Sequence, residues 1–168
     1  MPNLISLSKG YIAVIDEEDF IELNKYKWYV HIKDKLPYAE RTERYGPRKE
    51  NKKKHILMHR LLVNAKKGEI VDHVNGNSLD NRKQNLRICS NAENSRNHDG
   101  QTTQRKHTKY KGVKKNTQAK NSWSARITVN KKEIYLGSFK TEEEAANAYN
   151  QASEKYHGKF GRKNSCPS

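Results

Sequence analysis

The sequence is poor in cysteine and has no long apolar run. Its two cysteines, Cys89 and Cys166, lie far apart, so neither a disulfide framework nor a cysteine-ligated zinc site is expected. No stretch approaches the roughly 18 apolar residues of a membrane span, and the first residues lack the basic and apolar regions of a signal peptide. We therefore expect no membrane partner and a cytosolic protein.

Acidic residues are scarce relative to basic ones. The chain of 168 residues has 34 Lys+Arg against 19 Asp+Glu, a net charge of +15. Such a charge favours a polyanionic partner, most simply nucleic acid, with an anionic membrane surface as the rival. No small-molecule substrate is expected. Only 33% of the residues are hydrophobic, so the chain holds either one domain or two small ones with small cores.

The charge is unevenly distributed along the chain, which indicates a domain boundary. Residues 1–94 carry 18 Lys+Arg against 13 Asp+Glu, net +5, whereas residues 95–168 carry 16 against 6, net +10. No apolar residue occurs between 95 and 109. We predict domains at 1–98 and 109–164 and a basic linker at 99–108, which either follows a phosphate backbone or is a solvated tether.

The first 54 residues predict a small β-rich support, and residues 55–63 begin the active region. Short alternating runs indicate strands before residue 43, and the basic run 45–54 is expected to be a loop, either solvated or in contact with DNA. Leu57, Leu61 and Leu62 then fit one face of a helix. A lone histidine beside such a face, His59, is expected to be structural.

The most polar segment lies at residues 69–94. Asp72 and His73 end a predicted strand, the Asn-Gly pair at 75–76 predicts a tight turn with positive φ angles, and a returning strand follows at 86–88. The capping-box pattern of Ser90 and Glu93 predicts that a helix follows. Carboxylate and amide oxygens beside a titratable histidine suit a hard divalent cation, and therefore metal-assisted phosphodiester cleavage.

This segment resembles the HNH endonuclease motif, a metal finger of two strands and a helix found in many phage and mobile-element homing endonucleases. The resemblance rests on Asp-His at 72–73, Asn-Arg at 81–82, Asn-Leu-Arg at 85–87, Glu-Asn at 93–94 and the upstream His-Arg at 59–60. It implies a ββα-metal core at about 55–98.

The resemblance also implies roles for individual residues. Asp72 and Asn94 would ligate a single Mg²⁺ or Mn²⁺, His73 would be the general base, and Asn85 would orient His73 through its backbone carbonyl. Asparagine at the final metal position departs from the name-giving pattern and is shared by one branch of the family. Two arginines near these residues are expected to contact DNA, Arg60 and Arg87.

The C-terminal region predicts three strands and a helix. Residues 123–129 and 133–139 alternate between apolar and polar side chains. Thr141 and Glu144 form a second capping box before a helix that ends at Gly158. The exposed face of this sheet is expected to be basic, which suits the major groove of duplex DNA.

Residues 108–164 resemble the plant ethylene-response-factor (Apetala-two type) DNA-binding domain. The shared runs are Tyr-Lys-Gly-Val, Trp-Ser-Ala-Arg-Ile, Tyr-Leu-Gly-Ser-Phe and Glu-Glu-Ala-Ala-Asn-Ala-Tyr. Several family arginines are replaced here, and lysine lacks the planar fork of arginine, so the plant target sequence does not carry over. The resemblance implies DNA-facing positions for Lys111, Gly112, Lys114, Arg126, Thr128 and Tyr135.

The sequence thus predicts an α+β protein. A β-rich support and a ββα-metal nuclease motif precede the linker, and a three-stranded antiparallel sheet packed on one helix follows it. The expected function is a site-specific, homing-type endonuclease acting on double-stranded DNA; the alternative is a DNA-binding regulator with an inactive motif. One motif per chain leaves open both a monomer that nicks one strand and a dimer that cuts both strands. For the oligomeric state alone, we slightly favour a monomer.

Overall fold

The computed structural model describes residues 2–97, 108–116 and 122–166. Over these residues, helices and several small antiparallel sheets are mixed, in agreement with the α+β class. The chain divides into two compact units, Met1–Ser90 and Asn91–Ser168. The predicted linker lies outside the described residues except for Thr108, and the predicted domain limits stay predictions.

The first unit is built from three small sheets and two short helices among its described residues. Strands β1 and β2 pair with each other, β3, β4 and β5 form a sheet in that order, and β6 pairs with β7. All of these pairings are antiparallel. The elements are β1 Asn3–Ser6, β2 Ile12–Ile15, α1 Glu17–Leu23, β3 Tyr29–Lys33, β4 Leu36–Tyr45, β5 Lys52–Leu57, α2 Met58–Leu62, β6 Ile70–His73 and β7 Leu86–Cys89.

A single hydrophobic cluster joins the first two sheets to both helices. Alternation along β2 buries Ala13 and Ile15. Trp28 is buried as well, and its indole Nε1 donates to the carbonyl of Leu23 at 2.8 Å. Met58, the first residue of α2, completes the same cluster. Burial of such side chains contributes about 1.5–3 kcal/mol each, so this small core holds the support together.

The basic run before α2 differs from the prediction. The expected loop is shorter, because residues 52–54 belong to β5 and pair with residues 43–45 of β4. The helix consequently begins only at Met58. The lysine side chains of this run are exposed while their backbone groups join the ladder. A strand of this kind has no apolar alternation, which is why hydrophobic periodicity does not predict it.

The second unit contains the predicted three-stranded sheet and helix. The sheet order is β10–β9–β8, and α4 packs against all three strands. The Thr141 hydroxyl accepts from the Glu144 backbone N–H, and the Glu144 carboxylate accepts from the Thr141 N–H, so the predicted capping box is present. The elements are α3 Asn91–Asn97, β8 Val113–Asn116, β9 Ser122–Val129, β10 Lys132–Phe139 and α4 Glu142–His157.

Gly112 lies where the chain entering β8 approaches α4 most closely. Its φ is +73°, and a Cβ there would lie 2.0 Å from the Tyr149 ring and 2.5 Å from the Arg126 carbonyl. We expect Gly112→Ala to lower the free energy of unfolding by about 2–4 kcal/mol, through left-handed strain together with overpacking. Urea unfolding measures this loss.

Gly10→Ala is the matched control, since Gly10 also has a positive φ, +76°, but nothing lies within 4 Å of its would-be Cβ. We expect a loss of only about 1–2 kcal/mol there. Equal losses at the two positions would contradict the assignment of Gly112 to close packing.

Candidate active site

The β6–β7 pair places Asp72 opposite Arg87. The two residues are Cα partners in the antiparallel register, and Asp72 is buried. Its Oδ2 accepts from Arg87 Nε at 2.8 Å and from Nη2 at 2.5 Å. Arg87, which the sequence predicts to contact DNA, thus forms an ion pair with Asp72, the carboxylate predicted to hold a metal.

His73 ends β6 inside a cluster of three rings. The centroid of its buried imidazole lies 5.2 Å from that of His59 in an edge-on arrangement. Tyr38 of β4 lies 5.4 Å from the His59 ring and 6.3 Å from the His73 ring. Three elements, β4, α2 and β6, therefore fix the surroundings of the predicted general base.

Burial controls the ionisation of both histidines. Burial lowers the pKa of His73, while the Asn81 side chain and the carboxylates of Asp72 and Asp80 act in the opposite direction. Burial, followed by the nearby His73 and Arg60, lowers the pKa of His59 to about 3. Both rings are therefore neutral at pH 7, and a neutral imidazole is the form that accepts a proton.

The lowered pKa of His59 predicts acid sensitivity. The unfolded chain protonates this histidine below about pH 6.5, whereas the folded chain does so only near pH 3. Stability is therefore complete above pH 6.5 and falls as the pH is lowered, by up to about 1.4 kcal/mol per pH unit. Urea unfolding between neutral and acid pH should show a shallower fall in His59→Phe than in the wild type.

A His59→Phe protein as acid-sensitive as the wild type would contradict the assignment.

Asn85 holds the backbone that follows His73. Its carbonyl accepts from the Val74 N–H at 2.9 Å, and its Oδ1 accepts from the Asn75 N–H at 2.9 Å. Its Nδ2 donates to the Asp80 carbonyl at 2.7 Å. Asn85 therefore closes the loop 74–85 just beyond the end of β6, while its orientation of the His73 ring stays a prediction.

A tight turn is present at the predicted Asn-Gly pair, but it has only one of the expected positive φ angles. Of the Asn-Gly pair only Gly76 has a positive φ, +76°, and its N–H donates to the His73 carbonyl at 2.8 Å. The side chain of Asn75 instead donates to the Asp80 carboxylate at 2.8 Å. The two strands pair as predicted, and this turn opens the loop 74–85 that separates them.

Two residues of this loop received no role from the sequence. Asn81 is fully buried, and its N–H donates to the Val14 carbonyl of β2 at 2.7 Å. Asp80 accepts from Arg82 Nε at 2.8 Å and from Nη2 at 2.7 Å, and this guanidinium lowers the Asp80 pKa. The Asn-Arg pair at 81–82 was the available signal. Asn81 anchors the loop to β2, and Arg82 holds the Asp80 carboxylate.

Arg60 serves the segment that leads into β6. Its Nη1 donates to the Glu69 carbonyl at 2.5 Å and its Nη2 to the Lys66 carbonyl at 2.7 Å. These bonds tie α2 to the residues just before Ile70, the first residue of β6. The phosphate contact expected of Arg60 stays a prediction beside this structural role.

Asn94 lies in α3 and is exposed. This helix belongs to the second compact unit, whereas Asp72 and His73 belong to the first, and a shared metal site for Asp72 and Asn94 stays a prediction. Among the described residues no group of three or more His, Cys, Asp or Glu is arranged to hold a metal ion. The predicted ligand pair, one carboxylate and one amide, is a different kind of site.

The predicted DNA-facing residues lie around the sheet of the second unit. Lys114, Arg126, Thr128 and Tyr135 are exposed. The Arg126 Nη1 also donates to the Glu133 carboxylate at 2.7 Å, and its guanidinium carbon lies 5.8 Å from the Tyr135 ring centroid. The other two predicted DNA-facing residues make contacts within the protein. Lys111 Nζ donates to the Arg96 carbonyl at 2.6 Å, and Gly112 permits the close packing against Tyr149.

Helices of the described residues are all too short or too polar to cross a membrane.

Comparison with known proteins identifies one segment. Residues 52–96 match the family described as HNH endonuclease. Over 163 residues the chain is 28% identical to a protein of Acanthamoeba polyphaga mimivirus named as an uncharacterized HNH endonuclease, a match that covers 96% of this chain and 79% of that protein. The matched segment includes β6, β7 and the residues predicted for catalysis and metal binding. Residues 52–96 are therefore similar to the HNH endonuclease domain, which agrees with the resemblance of residues 69–94.

Proposed function

We propose that the chain is a site-specific DNA endonuclease of the homing type, which hydrolyses DNA phosphodiester bonds with one divalent metal and a histidine general base. The observation that carries the proposal is the end of β6, where a buried carboxylate and a buried neutral imidazole are adjacent within the segment that matches the HNH endonuclease family.

The donor chemistry fits a divalent cation. Asp72 is a buried carboxylate whose Oδ2 already attracts a guanidinium, so the position favours positive charge. Asp72 and the amide oxygen of Asn94 would hold Mg²⁺ or Mn²⁺, hard ions that prefer oxygen ligands. When bound, such an ion neutralises charge on the phosphate and on the departing 3′ oxygen.

His73 supplies the proton transfer. Its neutral imidazole takes a proton from a water molecule as the water oxygen forms a bond to phosphorus. The bond from phosphorus to the 3′ oxygen breaks, which leaves a 5′-phosphate and, after protonation, a 3′-hydroxyl. Asn85 secures the backbone beyond His73, and the rings of His59 and Tyr38 limit the orientations that the base can adopt.

The second unit would direct this chemistry to duplex DNA. Its sheet exposes basic and polar side chains from β8, β9 and β10, while the start of α4 carries three glutamates. This asymmetry, together with the resemblance to the Apetala-two type domain, supports binding of the sheet in a DNA groove. For the oligomeric state alone, a monomer is slightly favoured.

One observation favours the alternative, a DNA-binding regulator with an inactive motif. Arg87 is already bound to the carboxylate that a metal would need. A permanent Asp72–Arg87 pair would keep the metal out and leave the motif purely structural, in which case Mg²⁺ would have no effect on the protein bound to DNA.

Relaxation of supercoiled plasmid that contains the DNA flanking the gene tests the proposal. We expect nicked circles with Mg²⁺ or Mn²⁺ and none with chelator. DNA binding without cleavage under every metal condition would establish the regulator instead.

A further inference from the structure

A cleft of about 890 Å³ opens within the second unit. Ala92, Ser95 and Arg96 of α3 line one side, at positions three and four residues apart that share a helix face. Strands β8 and β9 and the turn between β9 and β10 supply most of the remaining lining. Its volume lies in the range of pockets that hold small ligands and exceeds what a single phosphate group needs.

Helix α3 is attached to the sheet at this cleft. Lys111 Nζ donates to the Arg96 carbonyl at 2.6 Å, and the Arg162 N–H lies 3.5 Å from the same oxygen. A lysine at the C-terminal end of a helix satisfies a carbonyl that has no partner within the helix. The backbone of Arg96 is thereby held against the module that carries the predicted DNA-facing residues.

The described lining of the cleft is strongly basic. Glu133 is its one carboxylate, and it already accepts from Arg126 at 2.7 Å. Like charges crowded around a concave surface repel one another and attract a polyanion. The cations of the lining are Arg96, Lys111, Lys114, Arg126 and Lys131.

We propose that this cleft binds the sugar-phosphate backbone of DNA, with Arg96 of α3 and Lys131 of the β9–β10 turn as phosphate ligands. The proposal rests on the proposed function, because DNA as the substrate is part of it. Neither residue belongs to the DNA-facing set that the Apetala-two resemblance implies. A guanidinium fork can hold two phosphate oxygens at once.

The position of Arg96 gives this contact a consequence for cleavage. It lies two residues after Asn94 in the same seven-residue helix. The helix that carries the predicted metal ligand Asn94 would therefore also bind the phosphate backbone of DNA.

Salt-dependent binding of full-length protein to a random-sequence duplex tests the cleft. Binding is measured by fluorescence anisotropy in the presence of chelator, which prevents cleavage. The slope of log affinity against log salt counts the phosphate contacts. Arg96→Gln and Lys131→Gln are each expected to reduce that slope by about 0.9 and to weaken binding by about three- to tenfold at low salt. Arg96→Lys should keep the slope, because it keeps the charge.

Lys155→Gln on α4 is the matched control, since Lys155 is exposed and does not line the cleft. An unchanged slope in both Arg96→Gln and Lys131→Gln would overturn the cleft proposal even if metal-dependent nicking were intact. Lys131 lies in an exposed turn, so its variant keeps the test valid if Arg96→Gln unfolds. If both variants change the slope but the wild-type protein does not nick DNA, the nuclease function alone is overturned.

Discussion

His73→Ala is expected to lower the rate of DNA nicking by about 10²–10⁴-fold, the range that a positioned general base contributes. DNA affinity should be unchanged, because His73 is buried at the end of β6. The reason is chemical: the alanine variant has no group at this position that can accept the proton of the attacking water. Single-turnover nicking rates with Mg²⁺, together with anisotropy in chelator, measure the two quantities separately.

His31→Ala provides the control for loss of a histidine, since His31 is exposed on β3. It should nick DNA at the wild-type rate. If His73→Ala cleaved as fast as the wild type, another group would be the base. If His73→Ala lost DNA affinity as well as nicking rate, His73 would have a structural role and not that of the general base.

Arg87→Met is expected to lower the free energy of unfolding by about 3–5 kcal/mol, because it removes one member of a buried ion pair. The side chains of Arg87 and Asp72 are only 15% and 7% exposed, so water compensates the remaining carboxylate poorly. Mg²⁺ should restore part of the loss, since a cation at Asp72 replaces the missing charge. Urea unfolding with and without Mg²⁺ measures both effects.

An exposed pair of the same chemistry lies in the second unit. Arg126 and Glu133 are 48% and 57% exposed, and Arg126→Met should lower stability by less than about 1 kcal/mol. No recovery with Mg²⁺ in Arg87→Met would argue that the metal does not use Asp72. Equal losses in the two variants would show that burial of the Asp72–Arg87 pair is not what gives it its strength.

Patterns among neighbouring residues correctly predicted several strands and the long C-terminal helix. The strands β1, β2, β6 and β7 and the capped helix α4 follow from alternation, helical spacing and the Thr141–Glu144 box. The start of β5 does not, because its lysines contribute no apolar pattern and are held by pairing with β4. The path between β6 and β7 likewise depends on distant contacts, such as the Asn81 N–H bonded to Val14.

The candidate site shows the same division. Asp72 and His73 were placed correctly at the end of a strand, since the strand pattern and the adjacent polar pair are both visible in the sequence. The ring cluster was not predicted, because Tyr38 lies far from His59 and His73 along the chain and only the fold brings the three together. The direct pairing of Arg87 with Asp72 also depends on the register of two strands.

Metal-dependent cleavage through Asn94 is measured by the dependence of the nicking rate on Mg²⁺ concentration, with wild type and Asn94→Ala side by side. Asn94 is exposed, so its replacement should leave the fold intact. We expect no nicking in chelator, a saturable rise with Mg²⁺ in the wild type, and a curve shifted at least about tenfold to higher Mg²⁺ in Asn94→Ala, through loss of a metal ligand. Cleavage in chelator, or superimposable curves for the two proteins, would contradict metal-dependent cleavage through Asn94.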